Sequence, residues 1–311
     1  MKTYIRKLAK KKVSEKLRAL RLPADIVGRS LLQGSFASYF LGEGYELHST
    51  RKYTIEDDGK AIDWNVSARM NTPFVRTYHQ ERNINIFLCV DFSLSMHASC
   101  HGKMLQDVAK DISYIFSIFS LKHSIPLGFL FFAADNFELS SPATSKQRIF
   151  YMLEKMETCF LGYDEKREDV AKRGTPLEDA LQKIETIAPT HSLIFIISDF
   201  NVAHYQHTLF ALARKHDVVA LRLFNDADLC LEKMGTVHFF DYESSFSTIL
   251  NTSSKSYAER RKTEAENELI SWKSSCLASH IHPLLLNSSS NLTKELSLFF
   301  ASYKNHHKIR L

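Results

Sequence analysis

Residues Ile84–Ser95, with the sequence INIFLCVDFSLS, decide the fold of this chain. Ile84–Val90 is a nearly continuous apolar run, which is typical of a strand that is buried on both faces of a parallel sheet. The run ends in a polar segment that begins at Asp91 and includes Ser93 and Ser95. Open parallel sheets bind ligands at the carboxyl ends of their strands. The stretch therefore predicts both the type of sheet and the edge at which its site lies.

Downstream of this strand, apolar residues alternate between strand-like runs and helical spacing. Helical spacing indicates helices near residues 105–119, 149–156, 175–187, 209–213, 257–278 and 292–303. Strand-like runs cover Pro126–Ala133, Phe137–Leu139, Leu193–Ile197, Val218–Phe224, Val237–Phe240 and Ile281–Leu286. This alternation predicts an α/β fold, a Rossmann-like and mostly parallel sheet with helices on both faces.

The pattern divides the chain into four expected segments. Residues 1–33 are a basic helical arm, and residues 34–82 are a small N-terminal β region rich in aromatic residues. Residues 83–245 form the α/β domain, and residues 246–311 form a C-terminal helix-strand-helix extension.

The charge of the chain is concentrated in its arm. Residues 1–33 hold ten of the 40 Lys and Arg residues but two of the 35 Asp and Glu residues. We leave two interpretations open for residues 2–21. They could dock on an anionic membrane, a nucleic acid or an acidic protein face, or they could form a solvated basic helix that packs one thin apolar stripe.

Composition limits the compartment. No apolar run approaches the roughly 20 residues that a transmembrane helix needs. The five cysteines form no C-x-x-C pair, and a reduced cytoplasmic protein without structural zinc is expected. Peripheral membrane contact through residues 2–21 stays open, and no specific nucleic acid partner is expected.

Two further polar segments are expected at the same edge as Asp91. Thr175 precedes the helix at 175–187, and Asp199 follows the strand Leu193–Ile197. Oxygen ligands of this type suit Mg²⁺, with Mn²⁺ as an alternative. The candidate metal ligands are Asp91, Ser93, Ser95, Thr175 and Asp199. The structural alternatives are that the serines cap the next helix, that Thr175 and Glu178 form a capping box, and that Asp199 is a turn residue.

These three segments together resemble a von Willebrand factor A-like domain. In that family they form a metal-ion-dependent adhesion site, and the resemblance implies that the five candidate ligands bind the metal. It also implies a von Willebrand factor A-like form of the α/β sheet.

The segment before the first strand narrows the resemblance to the family called domain of unknown function 58. The matching residues are Arg51, Tyr53, Asp57, Asp58, Ile62-Asp63-Trp64, Ala68-Arg69, Val75 and Glu81. Ile55-Glu56 and Lys60 depart from the family pattern, which has Pro-Gly and Arg at these places. Members of the family resemble partners of MoxR-type AAA+ ATPases, so an adaptor or co-chaperone role is implied. The opposite charges of this segment also predict an ion-pair network around Trp64.

The leading hypothesis is a non-enzymatic, metal-dependent protein-binding module that takes a partner carboxylate through a divalent cation. The sequence contains no G-x-x-x-x-G-K-[ST], no G-x-S-x-G and no H-E-x-x-H motif, which argues against the enzyme classes that use them. Two alternatives remain. One is a Mg²⁺-dependent phosphohydrolase that uses Asp91 and Asp199, and the other is an anionic-surface binder that acts through the basic arm.

Overall fold

The computed structural model describes residues 2–33, 47–54, 62–78, 84–97, 103–133, 136–159, 177–202, 204–226, 235–240, 247–251 and 255–302. The chain divides into two compact units. The first consists of Met1–Gly28 and Asn85–Phe299, and the second of Arg29–Ile84 and Phe300–Leu311.

Strands and helices alternate through most of the described ranges. The strands are β1 Leu47–Lys52, β2 Phe74–Tyr78, β3 Ile86–Asp91, β4 Leu127–Ala133, β5 Asn136–Ala143, β6 Leu193–Ser198, β7 Asp217–Phe224, β8 Thr236–Phe240, β9 Ser247–Asn251 and β10 His282–Asn287. The helices are α1 Lys2–Ala19, α2 Arg21–Gln33, α3 Trp64–Met70, α4 Leu105–His123, α5 Lys146–Cys159, α6 Leu177–Ile187, α7 Gln206–Lys215, α8 Lys255–Ala278 and α9 Leu292–Ser302. Within the described ranges, none of these helices has both the length and the apolar character that crossing a membrane requires.

The first unit is built on a six-stranded sheet with the strand order β10-β7-β6-β3-β4-β5. All neighbouring strands are parallel except β5, which runs antiparallel to β4 at one edge. The chain builds the sheet outward from β3 to β5, then crosses back and continues from β6 to β10. This is a doubly wound order, in which the direction of building changes between β3 and β6. The predicted mostly parallel α/β sheet is confirmed.

Helices cover both faces of this sheet, as predicted. Successive residues of a strand point to opposite faces. On one face, Phe87 and Cys89 of β3 belong to a buried apolar cluster with Leu177 and Leu181 of α6 and Trp272 of α8. On the other face, α4 covers the sheet, and the rings of its Phe116 and of Phe195 on β6 lie with their centroids 4.2 Å apart. All six residues of β3 are buried, which is why its sequence is uniformly apolar up to Asp91.

Helix α1 packs against α4 and α5 within the same unit. Ala9 and Val13 are buried on its inner side. Two lysines reach buried acids of the body: Nζ of Lys12 lies 2.6 Å from Glu157, and Nζ of Lys16 lies 2.6 Å from Asp111. Part of the positive charge of the basic arm is therefore neutralised by acidic side chains of the same chain.

The sequence pair Leu22-Pro23 favours a helix break, and the structure places the break slightly earlier. Helix α1 ends at Ala19 and α2 begins at Arg21. Pro23 lies in the first turn of α2, where a missing backbone N–H is tolerated.

The strand predicted at Val237–Phe240 does not belong to the parallel sheet. It forms β8, which pairs with β9 in a separate two-stranded antiparallel sheet. The edge position beside β7 is taken instead by β10, from the segment expected to be a C-terminal extension. The prediction of a strand was correct, and the sheet to which we assigned it was wrong, because apolar pattern alone does not specify a pairing partner.

The second unit contains an antiparallel pair, β1 with β2, and the short helix α3 between them in sequence. The carboxylate of Asp63 caps α3 by accepting hydrogen bonds from the backbone N–H groups of Asn65 and Val66. Trp64 is 72% exposed, so the described residues do not enclose it. The other acidic members of the expected ion-pair network, Asp57, Asp58 and Glu81, and Lys60 lie outside the described residues.

Candidate functional site

The predicted site lies at the carboxyl ends of β3 and β6, where the order of the sheet reverses. In the register of these two parallel strands, Val90 is paired with Ile197. The next residue on each strand is a polar one, Asp91 on β3 and Ser198 on β6. Doubly wound sheets bind their ligands in the crevice at such a position.

Asp91 is fixed by hydrogen bonds to both of its carboxylate oxygens. Its Oδ1 accepts a bond of 2.8 Å from the backbone N–H of Ser93, and its Oδ2 accepts a bond of 2.7 Å from the hydroxyl of Ser198. The side chain is completely buried. A carboxylate offers about four acceptor positions, so these two bonds leave room for another ligand.

Ser93 and Ser95 lie beside Asp91 in the turn that follows β3. Their hydroxyl oxygens are 2.9 Å apart. The backbone N–H of Met96 donates to the carbonyl oxygen of Ser93 at 3.1 Å, at the start of a single turn of 3₁₀ helix over Leu94–His97. Nδ1 of His97 lies 3.2 Å from the same carbonyl oxygen. The bond from the Ser93 amide to Asp91 also fits the turn-forming alternative, so the same residues can shape the turn and present their hydroxyls.

Asp199 follows β6 directly and joins the same neighbourhood. Its Oδ1 lies 3.5 Å from the hydroxyl oxygen of Ser198 and accepts a bond of 3.2 Å from the backbone N–H of Asn201. The latter bond is that of a strand-end turn, the alternative that the sequence leaves open. The hydroxyl of Ser198, whose one proton is donated to Asp91, thus lies near both carboxylates.

Burial and the repulsion of a neighbouring carboxylate act on the pKa of Asp91. Burial first and the negative charge of Asp199 second raise the pKa of Asp91 to about 7, against the hydrogen bonds from Ser93 and Ser198. The neighbouring thiol of Cys89 also has its pKa raised, first by burial and then by the charge of Asp91. Two carboxylates at one buried edge therefore favour a positive charge between them.

Thr175 lies outside the described residues, so four of the five predicted ligands are placed. Helix α6 begins at Leu177, two residues after Thr175, and Leu177 is buried against the same sheet face as Cys89. In the described part of the chain, no three His, Cys, Asp or Glu side chains are grouped so that they could hold a metal ion. The donor set at this edge is of another kind: two carboxylates with serine hydroxyls, which are hard oxygen ligands that suit Mg²⁺.

Sequence reasoning missed Ser198 as a site residue. The available signal was positional, because Ser198 is the last residue of a strand adjacent to β3 and has the same alternation as Asp91. Predicting the contact required knowing that β3 and β6 are neighbours.

An aromatic cluster supports the loop after Asp199. Phe200 has a φ of 52°, a left-handed conformation that is uncommon for a bulky residue, and its backbone N–H donates to Ser198 Oγ at 3.0 Å. Its ring lies 5.1 Å from that of Trp272, and the indole Nε1–H of Trp272 donates to the hydroxyl of Tyr205 at 3.0 Å. Packing against α8 thus holds the backbone conformation that positions Asp199.

Comparison with known proteins gives a family and distant relatives. The sequence profile of the family described as "Protein of unknown function DUF58" matches residues 49–269, which confirms the resemblance seen in the sequence. Uncharacterized proteins of Mycobacterium bovis and Mycobacterium tuberculosis are 27% identical over 234 residues, covering 75% of this chain and 72% of each relative. The crystal structure of the SpRpn10 VWA domain aligns over 68% of this chain and 93% of that domain, with a TM-score of 0.35 and 11% identity.

Proposed function

The chain belongs to the DUF58 family, and we propose that it acts there as a metal-dependent protein-interaction module. Asp91, Ser93, Ser95, Thr175 and Asp199 would hold the cation, Mg²⁺ first and Mn²⁺ as an alternative. The observation that carries the proposal is the convergence of Asp91 and Asp199, 108 residues apart in the sequence, around the hydroxyl of Ser198.

The electrostatics of the edge support a cation. No Lys, Arg or His of the described residues forms an ion pair with Asp91 or Asp199, while both carboxylates meet the same serine. Buried charges are ordinarily paired or bound to metal. A divalent cation would neutralise the pair and favour the ionised form of Asp91.

The small number of charged ligands suggests what the site binds. With two carboxylates and neutral hydroxyls as ligands, a bound divalent cation keeps an open position for a carboxylate from another protein. The protein orients the two carboxylate ligands. Two hydrogen bonds hold Asp91, and packing of Phe200 against Trp272 holds the loop that carries Asp199.

For the partner we propose a MoxR-type AAA+ ATPase, for which this chain would be an adaptor or co-chaperone. The support is the resemblance of residues 51–81 and of the Asp91–Ser95 segment to the family whose members resemble such partners. We assign no catalytic step to the site. The Mg²⁺-dependent phosphohydrolase remains the alternative that the assays below must separate from binding.

Metal binding is tested by thermal unfolding and isothermal titration with Mg²⁺ and Mn²⁺. We expect either cation to raise the melting temperature of the wild type and to have no effect on Asp91→Asn. The matched control is Asp226→Asn, an exposed carboxylate beyond the end of β7 in the same sheet, which should respond like the wild type. Absence of any cation effect on the wild type would contradict the proposal.

The interaction is tested by co-purification with the ATPase in Mg²⁺ and in excess EDTA. Wild type and Asp226→Asn should retain the ATPase in Mg²⁺ and lose it in EDTA, and Asp91→Asn should not retain it in either. Retention by folded Asp91→Asn would show that the site is not the interface. Hydrolysis of a generic phosphatase substrate by wild type, lost in Asp91→Asn, would favour the enzymatic alternative instead.

A further inference from the structure

The structure sorts the cations of the basic arm into two sets. One set faces inward: Lys12 and Lys16 contact Glu157 and Asp111, whose side chains are 2% and 5% exposed. The other set faces outward, since Lys7, Lys11 and Arg18 are exposed on α1. The inward set accounts for how α1 is held on the body, and the outward set takes no part in that attachment.

The outward side continues from α1 into α2. Leu20 is shared by the two helices: its backbone N–H donates to Lys16 at 2.9 Å at the end of α1, and its carbonyl oxygen accepts from Ala24 at 2.9 Å at the start of α2. Residues 7, 11, 18, 22 and 26 follow one another at multiples of about three to four positions, so they lie along one side of the path. Ala9, Val13, Ala24 and Val27 are buried on the opposite side.

Exposed aliphatic side chains lie among these cations. Leu8 is 48% exposed, Leu22 69% and Ile26 42%. We call Lys7, Leu8, Lys11, Arg18, Leu22 and Ile26 the basic-aliphatic face. Lys7 and Arg18 form no ion pair with any described residue, and Lys11 has a weak contact of 3.9 Å with Glu15 in its own helix.

The acidic residue nearest to this face in α2 is already neutralised. Oδ1 of Asp25 lies 2.7 Å from Nζ of Lys122 on α4. The face therefore presents net positive charge together with aliphatic surface.

We propose that the basic-aliphatic face docks the protein on an anionic lipid surface. The charged ends of lysine and arginine side chains pair with lipid phosphates. Their methylene groups lie along the boundary between the lipid headgroups and the acyl chains. Exposed leucine and isoleucine side chains gain from burial at that boundary. The phosphates of a nucleic acid would pair with the cations of this face but would leave Leu22 and Ile26 exposed to water. These aliphatic side chains therefore favour a lipid surface over a nucleic acid.

The test is vesicle flotation of the full chain without divalent cations, so that its result is independent of the metal site. Phosphatidylcholine vesicles with one third phosphatidylglycerol are compared with pure phosphatidylcholine vesicles, at low and high salt. Wild type should float with the anionic vesicles at low salt and remain unbound with neutral ones. High salt should weaken binding, since it screens the headgroup charge.

Two variants separate the components of the face. Lys7→Glu/Lys11→Glu/Arg18→Glu should bind anionic vesicles at least tenfold more weakly. Leu22→Ser/Ile26→Ser should also bind more weakly, and this loss should persist at high salt. The matched control is Arg261→Glu/Lys273→Glu/Lys294→Glu, which makes the same change of net charge at exposed positions of α8 and α9 and should float like the wild type.

Three results would overturn the proposal. The first is no flotation of the wild type with anionic vesicles, and the second is an equal loss in the control variant. The third is binding of duplex DNA that is lost in the triple arm variant but unaffected by Leu22→Ser/Ile26→Ser, without vesicle binding. Thermal unfolding of each variant, expected to match the wild type because all the changed residues are exposed, checks that the fold is intact.

Discussion

The hydroxyl of Ser198 donates a hydrogen bond of 2.7 Å to Oδ2 of Asp91, although 107 residues separate them in the chain. Both residues end adjacent parallel strands, and neither has any exposed surface. The backbone N–H of Ser93 holds the other carboxylate oxygen. The orientation of Asp91 is thus set by the protein itself before any ligand arrives.

Replacing Ser198 by alanine should destabilise the protein. The change leaves a buried carboxylate oxygen and the backbone N–H of Phe200 without their partner, and such a loss costs about 1–3 kcal/mol. Urea unfolding measures the effect. Ser274→Ala, which removes a hydroxyl bonded to the backbone on the exposed side of helix α8, should stay within about 0.5 kcal/mol of the wild type. Equal stability of the two variants would show that the Ser198 bond contributes nothing.

Replacing Asp91 by asparagine should stabilise the metal-free protein at pH 8. Burial and the charge of Asp199 raise the pKa of Asp91 to about 7, so ionised Asp91 opposes folding above that pH. An asparagine removes this charge cost but replaces one acceptor oxygen with an N–H₂ group, so we expect a net gain of about 1 kcal/mol. Urea unfolding in EDTA measures the gain. The same variant should lose any stabilisation by Mg²⁺, and a metal-free variant less stable than the wild type would contradict this account.

Mg²⁺ binding should change the fluorescence of Trp272. The chain has two tryptophans, and Trp64→Phe leaves Trp272 as the sole indole, packed against Phe200 beside Asp199. Ordering of the Asp199 loop by a cation should shift or intensify the emission in a saturable way. Trp64→Phe/Asp91→Asn should show no change on titration. A response of equal size in that double variant would mean that the signal does not come from the site.

Acid should destabilise the protein partly through His216. This side chain is 6% exposed and its Nδ1 has no hydrogen-bond partner among the described residues, and burial lowers its pKa below the ordinary 6.5. As the pH falls through 6.5, His216 binds a proton in the unfolded chain but stays neutral in the native state. The free energy of unfolding therefore decreases. His216→Gln should lose less stability between pH 7.5 and about 5.5 than the wild type. Because His123, whose pKa burial also lowers, is present in both proteins, parallel pH profiles would exclude His216 as the cause.

Replacing Gly128 by alanine should destabilise the core of the sheet. A Cβ at this position in β4 would lie 2.7 Å from the ring of Phe87 on the neighbouring strand β3. Overpacking of this kind costs about 1–3 kcal/mol. The double variant Gly128→Ala/Phe87→Leu should lose less stability than the sum of the single changes, as measured in a double-mutant cycle. Additive losses would show that the two residues do not compete for space.

The sequence pattern predicted the central strands well because a strand that is buried on both faces is apolar at consecutive positions. Ile84–Val90 and Leu193–Ile197 are apolar at every buried position, and both became strands close to the expected bounds. The polar residues that end these strands marked Asp91 and Asp199 as an edge pair. The sequence analysis does not predict helix α3, although Asp63 at its start is a good capping residue, because none of the seven helical residues is buried and the segment therefore has no apolar stripe.

The sequence by itself determined the alternation of strands and helices, the polar ends of β3 and β6 and the charge of the arm, since each depends on residues close together in the chain. The tertiary structure decided which strands are neighbours: it brought Ser198 to Asp91, placed β10 at the edge of the sheet and excluded β8 from it. It also decided which lysines of α1 meet buried acids and which face outward. The physical reason is that strand pairing and ion pairs join residues that are far apart in the sequence and depend on complementary shape and charge. A periodic apolar pattern fits several such partners equally well.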